Sequence, residues 1–171
     1  MSKTIVVYFS RGDEEYGVGK VTPGNTELLA KEIVKKLGAD EFKIEPVNKY
    51  PESYMTCVDQ ATKEKEQDAR PEYQGDIDLS EYDTIYLGYP IWWGDLPMVV
   101  YSFLEKHDLA GKTVFPFNTH EGSGNSGTFE TLKKRFPDAT FKGDGFNMSG
   151  HEARTDEGLA KLAQWLEGNE N

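Results

Sequence analysis

A run of small polar residues has the composition of an anion-binding helix start. Gly24, Asn25 and Thr26 directly precede an apolar-periodic segment and are predicted to open a helix. The free amides and aligned peptide dipoles of a helix N-terminus attract anions, and glycine lets the backbone approach closely. Ser10, at the end of the preceding strand, can add a hydroxyl. The pattern predicts a phosphate cradle; the alternative is that Asn25 only caps the helix.

Two adjacent tryptophans form a second candidate site. The predicted strand Thr84–Leu87 breaks at Gly88–Pro90 and is followed by Trp92, Trp93 and Gly94. Indole is usually hidden in a core, so its place in a turn after a strand favours a planar ligand that stacks on it. The alternative is that the indoles cap the core or form a subunit contact.

A third glycine-rich loop spans Asn118–Gly127. It contains the pattern G-x-G-x-x-G at Gly122, Gly124 and Gly127. A dinucleotide-binding fingerprint should follow the first strand of the fold, and this one follows the fourth. The loop is therefore not predicted to bind a dinucleotide.

The elements that must position these loops alternate between strand and helix along one domain of residues 1–171. Strands are predicted at Ile5–Phe9, Phe42–Val47, Thr84–Leu87, Lys112–Asn118 and Thr140–Asn147, the last one bulged. Helices are predicted to begin near Gly24, Tyr50, Pro97, Phe129 and Thr155. This alternation predicts a three-layer α/β fold with a doubly wound, five-stranded parallel sheet in the order 2-1-3-4-5.

In such a sheet the ligand lies beyond the carboxyl ends of the strands, where the winding direction switches. Three loops leave that edge: Ser10–Thr26, Tyr89–Leu96 and Asn118–Gly127. They are also the loops richest in glycine, small hydroxyls and tryptophan. Their coincidence at one edge predicts a single binding site.

The motifs in two of these loops resemble those of a known family. Tyr8–Arg11 (YFSR) followed by Gly24–Glu27 (GNTE) resembles the phosphate loop of flavodoxins, and Trp93–Asp95 (WGD) resembles their short turn against the flavin ring. The resemblance extends over essentially the whole chain. It implies a flavodoxin-like fold, non-covalently bound FMN and the transfer of single electrons between redox partners.

The resemblance also assigns residues to the cofactor. Ser10, Asn25 and Thr26 would hold the FMN phosphate, with Arg11 as an additional contact. The implied contacts of the turn before the third helix are Pro90, Ile91, Trp92, Trp93 and Gly94. Either Trp92 or Trp93 would stack on the isoalloxazine. Gly94 would let a peptide turn over to meet the flavin N5; the alternative is an ordinary turn glycine.

In the third loop, the resemblance implies that Thr119, Gly122 and Ser123 donate to the polar edge of the flavin. His120 stands where many flavodoxins carry a second stacking tyrosine, which leaves one ring face less protected. It could equally be a solvated loop residue. A second departure is the insertion Asp13–Pro23, whose Tyr16 either covers the flavin or packs on the surface.

These features leave three functional hypotheses, and none assigns a catalytic residue. The favoured one is an FMN-binding electron carrier, and the open ring face supports an alternative FMN-dependent NAD(P)H oxidoreductase acting on a small substrate. The third is a non-redox module whose tryptophans form a protein interface.

Net charge and cysteine content limit the expected classes of partner, the cellular location and the kinds of site. A net charge of -11 disfavours nucleic acid and anionic membranes and favours redox partner proteins with basic docking surfaces. The single Cys57 cannot form an internal disulfide, and no signal-peptide or membrane-spanning segment is predicted, so a cytoplasmic location is expected. One cysteine and three scattered histidines predict no metal site.

Overall fold

The strands and helices are taken from a computed structural model that describes residues 3–10, 14–15, 19–20, 24–47, 54–92, 95–120, 124, 126–141 and 145–169. The strands are β1 (Thr4–Tyr8), β2 (Glu14–Glu15), β3 (Gly19–Lys20), β4 (Asp40–Lys43), β5 (Thr84–Pro90), β6 (Thr113–His120), β7 (Thr140–Phe141) and β8 (Phe146–Ser149). The helices are α1 (Asn25–Leu37), α2 (Tyr54–Glu66), α3 (Met98–Lys106), α4 (Thr128–Arg135), α5 (Gly150–Ala153) and α6 (Asp156–Asn169).

The main sheet is parallel and has the order β4-β1-β5-β6-β7, with β8 also paired to β6. The predicted order 2-1-3-4-5 and the doubly wound fold are thereby confirmed. Within the insertion after the first strand, β2 and β3 form a separate antiparallel pair.

The predicted last strand is described in two pieces, β7 and β8, and the bulge predicted between them lies outside the described residues. Thr113 pairs with Thr140, whereas Phe117 pairs with Phe146, so the register offset between the strands grows from 27 to 29 residues. The second piece continues to Ser149 and supports the carboxyl end of β6.

The central strands are apolar because helices cover both sheet faces. On β1, the residues from Ile5 to Tyr8 are at most 1% exposed. One face packs against α2, α3 and α4 through residues such as Cys57, Phe103 and Leu132. The other face packs against α1, α5 and α6, with Leu29, Ala153 and Leu162 among the buried contacts.

The structure corrects one predicted strand and adds one helix. The second strand of the main sheet is Asp40–Lys43, not Phe42–Val47. The Ile44 amide still donates to the Tyr8 carbonyl at 2.7 Å, and Pro46 then pairs with Tyr73. The predicted start of the second helix at Tyr50 lies outside the described residues. The one-turn helix α5 was not predicted, because four residues are too few to show a helical period.

Candidate functional site

Hydrogen bonds draw the three predicted loops together at the carboxyl edge of the sheet. The Ile91 amide donates to the Thr119 carbonyl at 2.9 Å, which joins the second loop to the third. The Thr26 and Thr119 hydroxyls lie 2.7 Å apart, which joins the first loop to the third. Among the predicted residues, we call Ser10, Asn25, Thr26 and Thr119 the edge cluster; each is at most 9% exposed.

Ser10 completes the N-terminus of α1 from a distance. The N-cap position is Gly24, which has no side chain to satisfy the amides of the first turn. The Ser10 hydroxyl oxygen accepts instead from the Glu27 amide, at 3.0 Å. No acceptor for the Ser10 hydroxyl proton lies among the described residues, so this proton can serve a ligand. Asn25 is the first helical residue, and the alternative that it caps the helix is wrong.

The threonine pair supplies a second proton. Thr26 is 1% exposed and Thr119 is 3% exposed. Only one of the two hydroxyls can donate across their 2.7 Å contact, so the other hydroxyl keeps its proton for another acceptor. A buried hydroxyl that lacks an acceptor is costly. The pair thus ties α1 to β6 and leaves one hydroxyl proton available to a further acceptor.

Asn25 has a partner that the sequence did not reveal. The Nε of Arg154 donates to the Asn25 Oδ1 at 3.0 Å. Arg154 follows α5, and its backbone amide bonds to the His151 carbonyl. Arg154 is exposed and lies 129 positions from Asn25 in the chain. No sequence pattern around it could have indicated this contact.

The turn after β5 is closed by two backbone bonds. The Trp92 amide donates to the Asp95 carbonyl at 2.9 Å, and the Asp95 amide donates back at 3.1 Å. The half-buried Trp92 ring meets Phe9 edge-on, with centroids 5.3 Å apart. Trp92 therefore packs against the core on one side, which agrees with the alternative that the indoles cap the core. Whether Trp92 also stacks on a flavin ring stays a prediction.

Asp95 anchors that turn through its carboxylate. Its oxygens accept from the Leu96 amide at 2.8 Å, from Lys65 at 3.3 Å, and from the Tyr101 hydroxyl. Burial and the hydrogen bond to the Asp95 carboxylate both raise the pKa of the Tyr101 phenol. The phenol therefore stays a donor through the neutral range, and the end of the turn is fixed from α2 and α3.

A buried polar group lies beneath the third loop. The Tyr89 hydroxyl and the Thr128 hydroxyl are 2.8 Å apart, and burial raises the pKa of the Tyr89 phenol. The neighbouring Asn118 is 0% exposed. Its carboxamide lies near enough to the phenol to oppose that rise, yet it makes no well-formed hydrogen bond within the described part of the chain. Asn118 is thus a fully buried polar side chain that lacks a well-formed hydrogen-bond partner among the described residues.

Of the remaining predicted cofactor contacts, the structure describes some and leaves others outside the described residues. Pro90 pairs with Thr119 at the end of β5, and His120 lies 3.2 Å from Asn147 through its Nε2. Gly124 and Gly127 have φ of 67° and 77°, a backbone conformation that glycine adopts without steric cost. The predictions for Arg11, Tyr16, Trp93, Gly94, Gly122 and Ser123 lie outside the described residues.

The donor set of the edge cluster fits a phosphate monoester. Such an ester carries about -1.5 to -2 charges at neutral pH and offers three strong acceptor oxygens. The cluster offers two hydroxyl protons without assigned acceptors at the N-terminus of a 13-residue helix. These groups are uncharged donors, and the helix dipole favours an anion at this end.

The described residues lack two structural features, a membrane-spanning helix and a metal-ligand cluster. Within them, no helix is both long and apolar enough to cross a membrane. In the same residues, no group of three or more histidine, cysteine and acidic side chains is placed to hold a metal ion.

The sequence and fold match known proteins along nearly their full length. The family model described as Flavodoxin matches residues 3–169. A structure from Bacteroides uniformis ATCC 8492, provisionally described as a flavoprotein, is 30% identical; the match covers 97% of this chain and 98% of that one, with a TM-score of 0.78. A similarly described structure from Bacteroides eggerthii DSM 20697 is 29% identical over 98% of this chain and 97% of that one, with a TM-score of 0.76.

A more distant structure is that of a flavoprotein from Lactobacillus acidophilus NCFM in complex with FMN. It is 18% identical over 95% of this chain and 99% of that one, and its TM-score of 0.67 supports the fold alone. No significant match was found among curated proteins.

Proposed function

The chain belongs to the flavodoxin family, and we propose that it binds FMN non-covalently and passes electrons between redox partner proteins. The predicted cofactor is supported by the family and by the distant flavoprotein solved with FMN. The observation in this chain that carries the proposal is the edge cluster, which places neutral donors at the start of α1.

The residues of the edge cluster would hold the phosphate of FMN. The Ser10 hydroxyl and one hydroxyl of the threonine pair have protons to donate, and the first amides of α1 point to the same end of the helix. The Trp92–Asp95 turn, fixed by Lys65 and Tyr101, would position the ring. FMN, when bound, supplies the one-electron and two-electron chemistry that protein side chains lack.

Electron transfer to protein partners is the role we propose for the loaded protein. The net charge of -11 favours encounters with partners that present basic surfaces, because complementary charge accelerates association. Association with such a partner should therefore slow as the ionic strength rises.

Direct reduction by NAD(P)H is the second candidate, and it rests on one position. His120 stands where a stacking tyrosine was expected by resemblance, and its ring lies 3.2 Å from Asn147 rather than in the core. Steady-state oxidation of NAD(P)H by the loaded protein alone would favour the reductase. Reduction that requires an added reductase would favour the carrier.

Titration of the apoprotein with FMN tests the proposal. We expect quenching of flavin fluorescence with one FMN per chain, and weaker binding of riboflavin, which lacks the phosphate. An apoprotein that binds neither flavin, or that binds both with equal affinity, would contradict the proposed cofactor site.

A further inference from the structure

A carboxylate lies in the first turn of α1, where the phosphate is proposed to bind. Glu27 is the third residue of the helix, and its amide donates to the Ser10 hydroxyl at 3.0 Å. A glutamate carboxylate is only a few bonds from its own amide, so this charge stays within one Debye length of Ser10, about 8–10 Å. The Glu27 side chain is 19% exposed, so solvent screens its charge incompletely. A phosphate at Ser10 would therefore be repelled by Glu27 unless a cation compensates that charge.

Lys43 supplies such a cation from the neighbouring strand. It is the last residue of β4 and pairs with Tyr8 of β1, at the end of the strand that leads to Ser10. Its Nζ lies 2.8 Å from the Glu27 carboxylate and 3.3 Å from that of Glu45. Partial burial lowers the pKa of the Lys43 ammonium, but its interactions with both glutamates outweigh burial and raise the pKa overall. Lys43 therefore stays charged through the neutral range.

The surroundings of this ion pair are acidic. Burial raises the pKa of the Tyr8 phenol. The negative charges of Glu27, Glu41 and Glu45 raise it further, so all three carboxylates act on the same region. Glu27 is the least exposed of the three, at 19% against 34% for Glu41 and 51% for Glu45. Glu41 is paired with another lysine, and solvent screens Glu45 most, so Glu27 is the carboxylate whose charge depends most on Lys43.

We propose that Lys43 is a specificity-determining residue for the phosphate of the cofactor and acts through Glu27; this rests on the proposed function. Because the Glu27 carboxylate is held in an ion pair, the start of α1 can accept a second anion beside the acid of its first turn. The phosphate site does not depend on the helix terminus alone, since one buried hydroxyl of the Thr26–Thr119 pair keeps a proton without a described acceptor. A flavin without a phosphate would gain nothing from the ion pair.

A double-variant cycle with two flavins tests this role. We expect Lys43→Met to weaken FMN binding by about 5- to 30-fold, because the Glu27 charge then faces the phosphate, and riboflavin binding by less than about twofold. Adding Glu27→Gln to Lys43→Met should restore FMN affinity to within about threefold of the wild type. Adding Glu45→Gln instead should restore little, since Glu45 is the more exposed acid. Added salt should narrow the gap in FMN affinity between Lys43→Met and the wild type.

Lys31→Met is the matched control. Lys31 is also a lysine paired with an acid, Glu41, at 2.9 Å, and its replacement removes the same charge. Glu41 lies two residues before Lys43 on β4, about 7 Å further from the carboxyl end of the sheet. We therefore expect Lys31→Met to alter FMN affinity by less than about twofold. Thermal unfolding of each apoprotein shows whether the variants are folded.

The outcomes separate this inference from the proposed function. A wild-type protein that does not prefer FMN to riboflavin would remove the proposed function itself. In a wild type that prefers FMN, a folded Lys43→Met variant that keeps the same preference would overturn only the role of Lys43. Equal losses for both flavins would also overturn it, because a purely structural role predicts them, and so would a loss that Glu27→Gln leaves unrestored.

Glu27→Gln alone decides the question if Lys43→Met does not fold. It removes the carboxylate and leaves the Lys43 ammonium facing the phosphate. FMN binding should then tighten by about two- to fivefold, with riboflavin binding unchanged. An FMN affinity equal to or weaker than that of the wild type would overturn the proposal.

Discussion

Replacing the two buried threonines by valine, singly and together, separates their structural role from their role in cofactor binding. Thr26→Val leaves the Thr119 hydroxyl buried without its partner, since the two oxygens lie 2.7 Å apart at 1% and 3% exposure. An unsatisfied buried hydroxyl costs about 1–3 kcal/mol, so each single variant should lose that much free energy of unfolding. The double variant removes both polar groups and should recover most of it.

FMN affinity should not recover in the same way. If the pair donates one hydrogen bond to the phosphate, its loss costs about 1.5–3 kcal/mol, or roughly 10- to 150-fold in the dissociation constant. That loss should persist in the double variant, whereas riboflavin affinity should change by less than about twofold. Urea unfolding of the apoproteins and flavin fluorescence titrations give the two quantities. A double variant that regains FMN affinity together with stability would refute a donor role for the pair.

Three further predictions follow from the buried polar groups. Ser10→Ala should lower apoprotein stability by about 0.5–2 kcal/mol in urea unfolding, because the Glu27 amide loses its only described acceptor; an unchanged midpoint would deny the capping role. Burial raises the pKa of the Tyr89 phenol, so folding stability is unaffected below about pH 10 and falls above it, where only the unfolded chain ionises. Tyr89→Phe should therefore flatten the decline in unfolding free energy above about pH 10, and an unchanged slope would contradict this assignment. Asn118→Leu should raise the apoprotein melting temperature, because it removes a buried carboxamide without a well-formed partner; a lower melting temperature would show that the carboxamide is satisfied in solution.

The strand order and the meeting of the three loops at one edge followed from local sequence patterns. The apolar run at Ile5–Tyr8 and the glycine start of α1 each depend on neighbouring residues, so periodicity and capping rules were sufficient. The edge strand was misplaced because the alternation of its residues continues beyond Lys43, where the strand ends. Pairing of Pro46 with Tyr73 is a tertiary contact that no local pattern encodes.

The details of the site depended on long-range contacts. Ser10 was predicted as a phosphate ligand, and the structure adds its bond to the Glu27 amide, which makes it a substitute cap for α1. The pairing of Thr26 with Thr119 spans 93 positions, and that of Asn25 with Arg154 spans 129. Such contacts arise from sheet register and helix packing, so residue type and spacing could nominate the participants but not their partners.

The central claim is that the phosphate of FMN is held by the start of α1. Amide chemical shifts of the ¹⁵N-labelled apoprotein, measured during parallel titrations with FMN and riboflavin, test it most directly. We expect the amides of Asn25 and Thr26 to shift strongly with FMN and little with riboflavin, while those around Trp92 shift with both. Unchanged Asn25 and Thr26 amides at saturating FMN, or equal shifts with the two flavins, would contradict it.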